Sequence, residues 1–201
     1  MLIAHIVPGY FAAAKSQSRW RPEWSARQRI LLWIVAFGST IIPDLDVVYN
    51  ALFRGFINHS VLWTHSLFVH LGVLLIYWLL QRIGRWPYLQ MLIWLAAMGG
   101  LSHLLLDVVS HSTPLLYPVS MTVFGVPPMR VVEGGLWAYL TDLIFLLEPC
   151  LLGLGAMHWI RRHVRNQQAQ QVSLVVLAIG LGIFVTSFLL FLPVLQNAIV
   201  E

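Results

Sequence analysis

Five stretches of this chain, roughly 30–53, 61–81, 88–109, 136–160 and 171–196, are long and apolar enough to cross a bilayer. A transmembrane helix needs about 20 mostly apolar residues, because in hydrocarbon each backbone amide must find its partner within the helix. The rest of the composition agrees. Of the 201 residues, 59% are hydrophobic and only 10% charged, against about 25% charged in an ordinary soluble domain. Too few charges are present to cover a water-facing surface. The expected fold is an all-α membrane protein of about five transmembrane helices, forming a single transmembrane domain over residues 1–201. Residues 2–14 are apolar but short, and predict a half-helix or re-entrant segment.

Basic residues are distributed unevenly between the connections. Lys15, Arg19, Arg21, Arg27 and Arg29 lie in one, Arg82 and Arg85 in a second, and Arg161, Arg162 and Arg165 in a third; the alternate connections hold only Arg54 and Arg130. The first set is expected to be cytoplasmic. The connections 54–60 and 110–135 then face outward, toward the periplasm of a Gram-negative cell. This makes the chain a multi-pass protein of the bacterial inner membrane. The formal charge of +4 is thereby explained without nucleic acid as a partner. Residues 1–14 lack a basic leader, so no cleavable signal peptide is expected. Cys150 is the only cysteine, which excludes an intramolecular disulfide. Pro149 predicts a kink in the fourth stretch. Gly99 and Gly100 predict a close helix approach in the third. The tryptophans, among them Trp20, Trp24, Trp63, Trp86 and Trp137, mostly flank the stretches as an aromatic belt. The 110–135 connection is rich in proline and glycine and has the length of a lid or binding loop.

Most of the polar residues in the apolar stretches are acids and histidines. Asp44 and Asp46 lie in the first; His59 precedes the second, which holds His65 and His70; His103 and Asp107 lie in the third, Asp142 and Glu148 in the fourth, and His5 near the N-terminus. A carboxylate at mid-helix costs roughly 2.5–3.5 kcal/mol on insertion scales, so such residues face an interior and act there. At 1.5 Å per residue, Asp44 falls about 22 Å beyond Arg29, His65 about 25 Å before Arg82, His103 about 27 Å beyond Arg85 and Asp142 about 28 Å before Arg161. Residues from four helices thus reach one level in the outer leaflet, and His5, about 21 Å before Arg19, can join them. His103 and Asp107 are four apart and share a helix face. Asp44 and Asp46 would diverge on a regular helix, but Pro43 predicts an interruption that lets both point the same way. Imidazole and carboxylate together suit Zn²⁺, with Mn²⁺ or Fe as alternatives, and one or two ions. His70 fits a helix-packing role; His158 and His163, beside Arg161 and Arg162, fit an interfacial one.

The ordered motifs are His5 with Gly9, Pro43-Asp44-Leu45-Asp46, His59, Thr64-His65-Ser66, His103-x-x-x-Asp107 and Pro118. This set resembles the bacterial membrane-bound, predicted metal-dependent hydrolase family, sometimes called LexA-regulated inner-membrane hydrolase-like proteins. The resemblance covers residues 1–120; the C-terminal helices, 136–196, match only as hydrophobic helices. Ser60 and Val61 after His59 depart from the family pattern, as does the lack of a glycine near Ser112.

The expected function is a membrane-embedded metal-dependent hydrolase at the outer leaflet, cleaving a phosphoester or related bond in a lipid or lipid-linked substrate. Asp44, Asp46, His65, His103 and Asp107 would hold the metal, with His5 and His59 as further ligands. Glu148, Asp142 or His111 would serve as general base, and Arg130 would contact an anionic headgroup. A metal-ion transporter or channel, or a non-catalytic membrane subunit retaining a metal site, shares most of these features. A transporter, however, should carry polar residues along its whole path.

Overall fold

A computed structural model describes residues 4–54, 61–110, 113–125 and 147–164, with scattered positions between 167 and 178. The chain divides into two compact units, Leu2–Pro128 and one that holds Met129–Glu201. The first contains α1 (Ile6–Ser16), α2 (Ala26–Ile41), α3 (Leu45–Phe53), α4 (Leu67–Ile83) and α5 (Pro87–Ser110); the second contains α6 (Leu147–His163). The described residues are helical apart from turns, connections and one isolated antiparallel bridge between Thr113 and Phe124.

Several helix boundaries have an identifiable cause. Ser25 accepts the Gln28 amide while the Gln28 side chain accepts the Ser25 amide, so two otherwise unpaired donors are satisfied and α2 starts at Ala26. Replacing Ser25 with Ala should lower stability by about 1 kcal/mol, read as a lower thermal midpoint. Pro43 brings no amide hydrogen, and the chain tightens there into a 3-10 turn, Ile42–Asp44, before resuming as α3. The amide of Leu67, in the first turn of α4, donates instead to the Leu115 carbonyl at 2.9 Å, and the four residues Leu62–His65 form a second 3-10 turn. Gly84, at φ +68°, closes α4 in the left-handed conformation that glycine adopts freely.

Among the described residues two helical stretches are long and apolar enough to cross a membrane, Ala26–Asn50 and Pro87–Val109; Leu67–Ile83 is apolar but shorter. The sequence led us to expect about five. The second expected stretch, 61–81, loses its first residues to the 3-10 turn and to the bond with Leu115. Of the fourth, α6 covers the part from Leu147 onward. The remainder of the fourth, and nearly all of the fifth, lie outside the described residues. At 11 residues, α1 is about 16 Å long, half of what a span requires.

In the first unit α5 packs against α1, α2 and α4, and α1 also packs on α2. The buried core joins Ala13 of α1, Leu32 and Ala36 of α2, and Met91 and Leu95 of α5 to Trp24 from the connection before α2. Trp24 is therefore a core residue and Trp20 packs against it, rather than both standing in an outer belt. Their indoles fill the space left where three helices meet near the basic connection, and Trp24 sets its edge against Tyr88 at 5.3 Å. Trp63 and Trp86 are exposed, as a belt requires.

Association between helices in lipid relies on close packing and interhelical hydrogen bonds rather than on the hydrophobic effect. Both occur here. A Cβ on Gly9 would collide with the Ala36 carbonyl, one on Gly99 with Ser39 of α2, and one on Gly100 with the His70 ring of α4. Tyr88 donates to the Gln28 carbonyl at 3.0 Å, and Ser39 to the Leu95 carbonyl at 3.3 Å.

Candidate metal centre

The four packed elements carry their basic residues at one end and their buried acids and imidazoles at the other. His5 immediately precedes α1, Asp44 closes the 3-10 turn after α2, His65 ends the turn before α4, and His103 and Asp107 lie one turn apart on α5. All five are buried, His5, His103 and Asp107 completely.

Four of their atoms converge. His103 Nε2 lies 3.0 Å from Asp107 Oδ2 and 3.5 Å from Asp44 Oδ1. His65 Nε2 lies 3.6 Å from Asp107 Oδ2 and 3.7 Å from Asp44 Oδ1. The two Nε2 atoms are 3.4 Å apart. Ligands at about 2.0–2.1 Å around a tetrahedral zinc stand about 3.3 Å from one another. These separations bracket that edge.

The histidine partners determine which nitrogen is free to ligate. His103 Nδ1 lies 2.9 Å from the Thr40 carbonyl, which can only accept, so Nδ1 carries a proton and, in the neutral ring, Nε2 presents a lone pair to the centre. Thr64 spends its hydroxyl proton on the Val61 carbonyl at 2.8 Å. Its oxygen is then left to accept from His65 Nδ1 at 3.1 Å, which in the neutral ring turns a lone pair of His65 Nε2 to the centre. The centre thus gathers two carboxylate oxygens and two imidazole lone pairs, all acceptors. With both imidazoles neutral, such a set could hold a metal ion between its members.

His5 lies on the other oxygens of the same carboxylates. Its Nδ1 is 3.1 Å from Asp44 Oδ2 and its Nε2 is 3.5 Å from Asp107 Oδ1. Its ring meets that of His103 edge-on at 4.2 Å. Nε2 of His5 makes no hydrogen bond although it is buried. His5, Asp44, His103 and Asp107 can each offer one ligand atom within 4.8 Å of the others, the grouping a metal ion requires. The donor set of imidazole and carboxylate fits a borderline divalent ion.

Asp46 does not join this group. The helix is interrupted at Pro43 as the sequence predicts, but the 3-10 turn leaves Asp46 on α3, where its Oδ2 accepts the Val61 amide at 2.7 Å. His70 packs as expected, its Nε2 on the Thr64 carbonyl at 2.9 Å. His59, His111, Arg130 and Asp142 lie outside the described residues; Glu148 lies in α6, with its side chain outside them. The sequence does not point to Thr40, which acts through its backbone carbonyl, nor to Asn50, a fully buried polar residue of α3. Thr64 was legible only as part of a motif. Ser66 of the same motif donates to the Tyr117 carbonyl, holding the 113–125 segment to the start of α4.

A family model for the YdjM inner membrane protein matches residues 1–191. The chain belongs to the YdjM inner membrane protein family. No curated protein and no solved structure matches it. In this YdjM-family protein the match runs through both units and includes every residue of the buried cluster.

Proposed function

We propose that this inner-membrane protein is a metal-dependent hydrolase acting on a phosphoester, or a related bond, of a lipid or lipid-linked substrate. The observation that carries the reading is the acceptor-only centre, in which His65 and His103 turn lone pairs toward Asp44 and Asp107 at the edge length of a tetrahedral zinc site. His5, Asp44, His65, His103 and Asp107 would hold the ion, with Zn²⁺ preferred over Mn²⁺ or Fe. Two carboxylates and three neutral imidazoles carry a charge that one dication balances, which favours a single ion. Bound there, the metal would supply Lewis acidity and a water whose pKa is drawn toward about 7.

The chain's own groups do the rest. Thr40 and Thr64 hold two imidazoles in the ligating tautomer. Asp46 steadies the entry to the Leu62–His65 turn through the Val61 amide. Glu148, Asp142 or His111 would take the proton, and Arg130 would meet the anionic headgroup. Five transmembrane helices with the basic connections in the cytoplasm would set the centre in the outer leaflet, at headgroup depth. The split of α1, α2, α4 and α5 into a basic end and a cluster end supports that orientation. A transport role finds less support. Between the cluster and the basic end the first unit is closed by Leu32, Ala36 and Leu95, all fully buried, where a transporter would place polar groups.

The test is turnover by the full-length protein in detergent micelles containing phospholipids or lipid-linked phosphates. Zn²⁺- or Mn²⁺-loaded protein should release phosphate or headgroup, chelation should stop the release, and His103→Ala should lower the rate by about 100-fold or more. A metal-replete protein that cleaves none of these phosphoesters would remove the hydrolase reading and leave a metal-binding membrane subunit.

A further inference from the structure

At the opposite end of the first unit from the His/Asp centre lies a cleft of about 190 Å³, between the connection after α1, the last turns of α4 and the first turns of α5. Its walls carry Arg19, Arg21, Tyr77, Gln81, Gln90 and Trp94. On α5, Gln90 precedes His103 by 13 residues, about 20 Å along the helix, so the two sites are separate.

The cleft is built for an anion. The Arg19 guanidinium lies over the Trp94 ring with its centre 5.8 Å from the centroid. A cation-π contact uses no hydrogen-bond acceptor, so the N–H donors of the guanidinium can still meet an oxyanion. Among the described residues Arg19 forms no ion pair, and Arg21 reaches only Glu23 at 3.6 Å, with both side chains more than half exposed, a pairing worth little in water. The Gln81 amide donates to the Tyr77 hydroxyl at 2.7 Å, so that hydroxyl keeps its own proton to donate elsewhere. Gln90 covers the Leu80 and Arg85 carbonyls at 2.9 and 2.8 Å, which screens the negative end of α4 from the cleft. Pro87, which opens the 24-residue α5, also lines the cleft, so the positive end of that helix dipole faces an anion placed there.

We propose that this cleft binds the phosphate of an anionic phospholipid headgroup from the leaflet that meets the basic connection. The chain is an inner-membrane protein, and Trp86, next to Pro87 of the cleft wall, is exposed, as suits an indole at headgroup level. Acyl chains can stay in the bilayer while the headgroup sits between the arginines. The proposal does not use the His/Asp centre, so it stands or falls separately from the hydrolase reading.

Native mass spectrometry of the full-length protein in detergent tests it, with phosphatidylglycerol, phosphatidylcholine and inorganic phosphate as probes. Each basic residue near an anionic headgroup contributes about fivefold, so with two arginines the wild type should retain phosphatidylglycerol about 30-fold over phosphatidylcholine. The Arg19→Gln/Arg21→Gln variant should lose that preference with unchanged far-UV circular dichroism. Arg21→Gln alone, at an exposed position, should lower it about fivefold. Equal retention of phosphatidylglycerol by wild type and the folded variants would overturn the proposal. So would equal displacement of the lipid by millimolar inorganic phosphate, which would make the cleft a soluble-anion site.

Discussion

Purified in detergent, the wild-type protein should carry about one equivalent of a divalent transition metal, and His103→Ala and Asp44→Ala should each retain less than about a tenth of it. Both residues reach the common centre, His103 through Nε2 and Asp44 through Oδ1, 3.5 Å apart. Removing either leaves an incomplete set, and losing only a group that hydrogen-bonds to a ligand already costs about 10–100-fold in affinity. The metal should also govern stability. A ligand present at 100 times its dissociation constant adds about 2.7 kcal/mol to the folded state, so chelation should lower the thermal midpoint and Zn²⁺ should restore it. A sharper contrast comes from Asp107→Asn. Without metal, the native centre sets carboxylates against imidazole lone pairs, and the amide relieves one of those repulsions. The chelated variant should therefore be at least as stable as the chelated wild type, yet gain nothing when Zn²⁺ is added. If the cluster were only a hydrogen-bonded packing network, Asp107→Asn would be the less stable of the two. Elemental analysis and thermal melts decide the matter. A wild type that binds no metal after reconstitution with Zn²⁺ or Mn²⁺ would sink the site.

Gly9→Ala should be the most damaging single-methyl addition in the first unit. The new Cβ would fall on the Ala36 carbonyl and come within 3.2 Å of Thr40 Cγ2. A flexible side chain could swing aside, but a backbone carbonyl in the middle of α2 cannot. Overpacking of this kind costs about 1–3 kcal/mol. The displacement also reaches the metal centre from both sides, because His5 lies four residues before Gly9 and Thr40 supplies the carbonyl that orients His103. Metal content should fall together with the thermal midpoint. Gly72→Ala provides the opposite sign. Nothing lies within 4 Å of a Cβ built there, so the substitution should be neutral or add about 0.5–1 kcal/mol through helix propensity. Equal effects of the two substitutions would show that α1 does not approach α2 closely.

The apolar stretches and the four-residue spacing of His103 and Asp107 follow from local periodicity, so the sequence alone determines an all-helical protein with that pair on one face. The common level of His5, Asp44, His65 and His103 was legible from their shared distance to the basic connections, because helical rise is constant, and Asp107 was legible from its spacing to His103. The interruption at Pro43 was legible too, since proline lacks an amide proton whatever surrounds it. The choice of Asp44 over Asp46 was not, because two carboxylates two residues apart are separated only by the 3-10 geometry and by the Val61 amide that Asp46 finds. Nor was the start of α4 at Leu67, which depends on Leu115, 48 residues away. Trp24 reads as an interfacial tryptophan in sequence and is buried in the structure, because burial depends on which helices meet beside it. The imidazole tautomers depend in the same way on the Thr40 carbonyl and the Thr64 hydroxyl. Spacing along one helix is a property of the chain, whereas contacts between α1, α2, α4 and α5 exist only once their small residues let the backbones close.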